Sequence, residues 1–172
     1  MNVSLIRYPN DNDWLEVYRR AMVTAGVDKT KIPGEAWRRR ILEARHSPIR
    51  YLQFSFFIEG IPSWVATHLC RHVHAQPYIK SQRNDRQKDY DRNAARQDAP
   101  VNMILDVNAE ELMVIANKRL CSQASKETQD AVKMMCLCVL DVCTEFEGHL
   151  VPMCQYHGGK CHEFKPCGRC SQ

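Results

Sequence analysis

Long hydrophobic runs are missing from this chain: nothing in its 172 residues approaches the roughly 20 consecutive apolar residues that span a bilayer. No membrane association is therefore expected. The opening residues MNVSLIRYPNDND are too polar for a secretory leader. The expected compartment is the reducing cytoplasm, where the nine cysteines stay free or bind metal. Internal repeats and low-complexity tracts are also missing, which argues against solenoids and unstructured linkers. A strong excess of one charge is absent as well. Lys and Arg number 24 against 20 Asp and Glu, a net +4 that favours an anionic ligand or nucleic acid only slightly and decides nothing alone. What is present, 44% hydrophobic and 26% charged residues, suits one globular domain with a proper core.

Helical spacing dominates the rest. Asp13 is positioned to cap a first helix in which Trp14, Val17, Tyr18, Ala21 and Met22 recur before Gly26. A second helix is expected from about Pro33-Gly34-Glu35 to Arg45. In YLQFSFFIEG, Leu52, Phe54, Phe56 and Ile58 alternate with Tyr51, Gln53, Ser55 and Phe57, the period of a strand closed by Gly60. Pro62 and Ser63 open a helix with Val65, Leu69 and His72 along one side, followed by a loop broken by Pro77. Residues 84–100 read as a loop or short exposed helix, and VNMILDV as a short strand. Asn108 with Glu111 is an Asx-x-x-Glu helix start leading through Leu112, Ile115, Ala116 and Leu120. A long last helix is expected over about Lys126 to Glu147, with Cys136, Cys138 and Cys143 as small core residues. The division expected is a domain over residues 1–150 and a Cys-rich tail over 151–172.

Residues 71–83, RHVHAQPYIKSQR, hold two arginines, two histidines, a lysine, two glutamines and a serine. Such a density of donors is either a solvated loop or an anion site. Arg71, Arg83 and Arg119 lie at one helix end, in the following loop and near another helix end. Their planar forks donate paired hydrogen bonds to phosphate and keep their charge, and Ser81 and Gln82 would complete the cradle. Arg71 and Arg119 would equally serve to neutralise helix C-termini. His46 and His72 would equally be structural. Cys70 and Cys121 adjoin these arginines, where a cation lowers a thiol pKa.

In the tail CQYHGGKCHEFKPCGRC, Cys154, Cys161, Cys167 and Cys170 are spaced C-x6-C-x5-C-x2-C. Four thiolates close a tetrahedral zinc site, and a metal would order a tail too short to build a core. His157 and His162 are alternative ligands. A free reduced tail and one stitched by disulfides are the other readings.

The succession ARHSPIRYLQFSFFIEGIPSWVATHLCRH and then SQR resembles the flavin-dependent thymidylate synthases. His46-Ser47 matches their Gly-His-x-Ser turn, and Glu59-Gly60 their strand end. Arg71-His72 and Ser81-x-Arg83 match their Arg-His-Arg and Ser-x-Arg. AARQDAP is similar to the family's Ala-Arg-x-x-Leu-Pro, and VNAEELMVIANKRLCSQASKET to its Asn-led helix ending in Leu-Arg. The matching segments run in the right order over residues 40–146.

The resemblance implies an α+β fold: a helical shell around a small, mostly antiparallel sheet, assembled as a homotetramer with shared active sites. It implies C5-methylation of deoxyuridylate (dUMP) to thymidylate, with FAD as cofactor, methylenetetrahydrofolate as one-carbon donor and NADPH as co-substrate. Carried over by position, Arg71, Ser81 and Arg83 would hold the nucleotide beside Gln82, and Arg96 would add a phosphate contact. Arg119 would bind the pyrimidine edge and stabilise negative charge developing on the ring, which makes it the expected catalytic residue. His46, Ser47, Arg71, His72 and Asn108 match flavin-facing positions. No cysteine nucleophile is required, because positioning and flavin supply the chemistry.

Departures from the family pattern are concentrated. Val73 stands in place of an arginine, and Ile79 in place of a glutamate that contacts the nucleotide. Gln76, Tyr78, Asn84, Glu110 and Val114 also differ, and part of a helical segment is missing between Arg83 and Ala95. They motivate a second reading, the same scaffold performing another C5 modification of a pyrimidine nucleotide. A third reading is a non-enzymatic, zinc-stabilised protein that binds nucleotides or nucleic acid. Its support is Lys160, Lys165 and Arg169 interleaved with Tyr156 and Phe164.

Overall fold

The alternation of Phe54, Phe56 and Ile58 with Gln53, Ser55 and Phe57 becomes the centre of a sheet, its first set fully buried and its second half-exposed. The structure is a computed structural model describing residues 1–83 and 85–170. Asn84, one of the departures above, lies outside the described residues, as do the last two residues of the tail. Strands β1 (Asn2–Arg7), β2 (Gln53–Pro62), β3 (Ala75–Ile79) and β4 (Pro100–Asn108) form one antiparallel sheet in the order β1-β2-β4-β3. Val3 stands opposite Ile58, Phe56 opposite Leu105, and Pro77 opposite Leu105 from the other side.

Two strands depart from the expectations. The segment around Pro77, expected as a loop, is the edge strand β3. A proline fits there because an edge strand needs its ladder bonds on one side only. The N-terminal edge strand β1 buries only Val3, so it carries almost no alternation to read.

Among the described residues, α1 (Asp11–Thr24) is capped by Asn10 rather than Asp13. Asn10 Oδ1 accepts from the Asn12 backbone N–H at 2.8 Å, and the Asp13 carboxylate accepts from the Asn10 N–H at 2.9 Å. Asp13 is therefore the return partner of a capping box. The next helix, α2 (Glu35–Glu43), stops before Arg45, which takes the left-handed φ of 47°. α3 (Ser63–Cys70), α4 (Ala109–Arg119) and α5 (Lys126–Leu140) pack with the sheet to close the core. The expected long last helix ends at α5. Beyond it a tight turn and a short 3-10 segment bring Phe146 edge-on to Phe54, with ring centroids 5.3 Å apart, and fully bury it. Burying a side chain of that size contributes about 1.5–3 kcal/mol, which a straight continuation into solvent would forgo.

Leu150 is the last buried apolar residue. From 151 to 170, through the single turn α6 (Met153–Tyr156), no described residue is buried. No helix among the described residues is long and apolar enough to cross a membrane.

Candidate functional site

Helix α4 grows directly from the end of β4. Asn108 is the last strand residue and also the helix cap, its Oδ1 accepting from the Glu111 backbone N–H at 2.9 Å, while Ala109 N–H bonds Leu52 O at 2.9 Å. The sequence pattern suggested that Glu111 would return to the cap. It does not. Its carboxylate is buried and meets His72 Nδ1 at 2.9 Å. Glu111 is the site residue whose role sequence reasoning missed. The available signal was its register: Glu111, Ile115 and Arg119 are spaced i, i+4, i+8 and share one face of α4.

His72 sits just past α3, in the turn that leads into β3. Arg119 Nε donates to His72 Nε2 at 3.1 Å, and Arg119 Nη2 donates to the His68 carbonyl at 3.2 Å. The imidazole is thereby assigned one tautomer. Nε2 accepts from a guanidinium that has no lone pair to offer, so the proton is on Nδ1 and is donated to Glu111. Burial pushes the His72 pKa down, and the Arg119 cation adds to that, against the opposing pull of Glu111. His68 is likewise lowered by burial and by the cations of Arg119 and Arg71. Burial first, and then Arg71, lowers Arg119 from its usual range.

The arrangement is a charged guanidinium held from behind by a neutral imidazole and a carbonyl. In front lies a cavity of about 260 Å3, lined by His72, Lys118, Arg119, Gln123 and the tail residue Glu163, among others. Two of the Arg119 donors are spent on holding the group in place. The remainder suit an anionic or carbonyl oxygen.

The other expected binding residues are not gathered around this cavity. Ser81 and Gln82 line a small separate cavity of about 40 Å3 beside Lys80 and Tyr90. Ser81 Oγ accepts from the Arg83 N–H, and the Arg83 fork is closed on Asp85 at 2.9 and 3.0 Å. Arg96 is closed in the same way on Asp98 at 2.8 and 2.9 Å, and holds that carboxyl below the usual carboxylate range. Both arginines are exposed, so a phosphate would compete only with a solvated pair.

His46 and Ser47 are exposed, and His46 lines a groove of about 420 Å3 with Trp37 and Arg40. Asn108 is committed to its cap, and Glu110 is bonded to Arg50. Arg71 is exposed but close enough to depress Arg119 and His68.

The cysteines divide by surroundings. Cys136 and Cys143 are buried and Cys138 is half-buried, as expected for core residues. Burial drives the thiols of Cys136 and Cys143 up to about 12. Cys70 is raised by burial rather than lowered by Arg71. In the tail, Cys154, Cys167 and Cys170 share the wall of one cavity with Cys121. No group of three or more His, Cys, Asp or Glu side chains among the described residues is gathered so as to hold a metal ion, so the four-cysteine site is not closed.

No protein-family profile and no curated protein matches the sequence. Solved structures do match the architecture. Thymidylate synthase X (ThyX) from Helicobacter pylori with FAD and dUMP is 17% identical, with 87% of this chain and 99% of that chain covered and a TM-score of 0.71. Another structure, flavin-dependent thymidylate synthase ThyX from Helicobacter pylori complexed with FAD and dUMP, is 16% identical over 80% of this chain and 93% of that chain, with a TM-score of 0.63. The expected α+β architecture is therefore the one found, and the resemblance read from the sequence recurs in its structural neighbours.

Proposed function

We propose that this chain is an enzyme of the flavin-dependent thymidylate synthase kind, binding a pyrimidine nucleotide and methylating it at C5. The observation that carries the reading is Arg119. It matches the arginine of the family's Leu-Arg helix end, it is buttressed by His72 and Glu111, and it faces a cavity. Its guanidinium donates to a carbonyl oxygen of the pyrimidine and stabilises charge that gathers there while C5 acts as a nucleophile. A preset donor costs no reorganisation as that charge appears. His72, neutral and tied to Glu111, keeps the guanidinium aimed without contributing a second charge.

Flavin fits the open donors of this chain. His46 and Ser47 are exposed, and Trp37 and Arg40 flank His46 with an aromatic face and a cation suited to a ring and a phosphate. FAD, when bound, supplies the hydride that reduces the transferred carbon. Methylenetetrahydrofolate is the one-carbon donor, and NADPH is the source of electrons. Arg71, Ser81, Gln82 and Arg83 hold the nucleotide phosphate, with Arg96 as a further contact. Asn108 faces flavin through its amide nitrogen while its oxygen caps α4.

Since Ser81 and Gln82 line a different cavity from Arg119, the site is best completed between copies in a homotetramer. Exposed Val73, Tyr78 and Ile79 support such an interface. A second reading, another C5 modification, is favoured by Ile79 in place of the family's glutamate and by Glu110 being engaged with Arg50.

The test is incubation of the purified protein with FAD, dUMP labelled with tritium at C5, methylenetetrahydrofolate and NADPH. Tritium release with formation of thymidylate is expected. Release with a different product selects the second reading. Absence of both flavin retention and dUMP binding overturns the proposal.

A further inference from the structure

The tail poses a problem of cohesion. Residues 151–170 bury no side chain, and Phe164 is 99% exposed. Only the base of the segment is anchored. The fully buried Asn117 donates to the Val151 carbonyl at 2.7 Å, and Arg45 stacks on the Tyr156 ring and donates to its hydroxyl at 3.1 Å. Beyond Tyr156 the ties to the body include an exposed Lys118–Glu163 pair and one hydrogen bond from Gln123 to the Lys165 carbonyl. Contacts of this sort contribute little, yet the segment holds three glycines, Gly158, Gly159 and Gly168, in defined left-handed conformations. Ordering a backbone that buries so little needs another source of free energy.

We infer that Cys154, Cys161, Cys167 and Cys170 take up one zinc ion, which fastens the tail against the turn between α4 and α5. Cys154 comes from the anchored base, and Cys167 and Cys170 from the far end. All three nevertheless line one cavity of about 450 Å3, whose opposite wall is Leu120, Cys121 and Ser122. Cys154, Cys167 and Cys161 all lie close enough to Cys170 to act on its thiol, Cys154 most of all.

Cys167-Gly168-Arg169-Cys170 bends at the left-handed Gly168, with φ 81°. Cys167 shares the cavity wall with Ser122 and Arg169. The Ser122 Oγ is buried and has no hydrogen-bond partner among the described residues. A bend within C-x2-C can bring both sulfurs to one ion, and the unpaired Ser122 hydroxyl is a donor available to a thiolate.

The thiols are not yet closed about a centre, and an ion would draw them in. The weakly held loop permits that movement. Binding exchanges four thiol protons for the cation with no change of oxidation state. The surplus negative charge of four thiolates is offset by Lys160, Lys165 and Arg169, which the same segment supplies. Cys121 lies on the cavity wall but belongs to the α4–α5 turn and is assigned no ligand role. This inference does not depend on the flavin reading.

The test is metal analysis by mass spectrometry of the full chain, purified reduced, without chelator, and desalted. One zinc per chain is expected, lost from the Cys167→Ser/Cys170→Ser double variant and retained in Cys138→Ser, a helix thiol outside the tail. Exchange into cobalt should give intense thiolate-to-metal charge-transfer absorption that persists in Cys121→Ser and weakens in Cys161→Ser. Three results would overturn the inference. They are substoichiometric zinc in the unsubstituted chain, zinc kept by the double variant, and a tail lighter by two hydrogens per disulfide after anaerobic purification.

Discussion

His72 donates its Nδ1–H to the buried Glu111 carboxylate over 2.9 Å while its other nitrogen accepts from Arg119, so one ring joins an anion to a cation. Replacing Glu111 tests this relay. Glu111→Gln retains an acceptor and should cost little stability. Glu111→Ala strands a buried imidazole donor and should cost about 1–3 kcal/mol in urea unfolding. Both should lower turnover, the alanine variant more.

Arg119→Ala should reduce turnover by about 10²–10³-fold, the usual loss for removing one preset donor at a developing charge. The melting temperature should change little, because His72 and the His68 carbonyl can bond water instead. Arg119→Lys should fail to restore the rate, since a lysine cannot hold His72 and the His68 carbonyl with one planar fork. Steady-state rates together with melting curves decide between a catalytic loss and a folding one.

Freeing the proposed phosphate arginine should help binding. Asp85→Ala opens the Arg83 fork, and nucleotide affinity should rise by up to about fivefold, the upper range for an exposed ion pair. Titration calorimetry with dUMP measures it. Weaker binding would mean that Asp85 orders the loop more than it competes with the ligand.

Acid should destabilise the fold before the carboxylates titrate. His68, His72 and His149 all have pKa values lowered from the ordinary 6.5, chiefly by burial. In the window between each lowered value and 6.5 the unfolded chain binds more protons than the folded one. Stability is therefore complete above 6.5 and falls as pH drops through that window. Urea midpoints measured from pH 7.5 down to 5 should decline, and less steeply in His149→Phe.

Thiol labelling should follow environment. In metal-free protein at neutral pH, iodoacetamide should modify Cys167, which is exposed and whose thiol is pulled down chiefly by the neighbouring Ser122 hydroxyl, well before the buried Cys136 and Cys143. Peptide mass mapping over time gives the order.

Periodicity carried the interior of the fold. Leu52, Phe54, Phe56 and Ile58 announced β2, and the spacing of Leu112, Ile115 and Ala116 announced α4, because those patterns reflect burial on one face. Edges were legible only in part. Val3 alone is buried in β1, and Pro77 disguised β3, since an edge strand tolerates a residue that a central one rejects. Asn10 was passed over as a cap because Asp13, its return partner, is also a capping residue type. At the candidate site, residue types marked Arg119 and His72 only as candidates, and the pattern gave Glu111 a local role. A long-range partner 39 positions away leaves no trace in local spacing.

Helix α4 turns these contacts into a mechanical constraint. Its eleven residues make a rod about 16 Å long, clamped at its head by Asn108 and at its foot through Arg119. His72 latches onto two rungs of that rod, so the end of α3 and the whole of α4 are splinted into one rigid piece. A ligand that pulls on the guanidinium therefore loads the end of α3 as well.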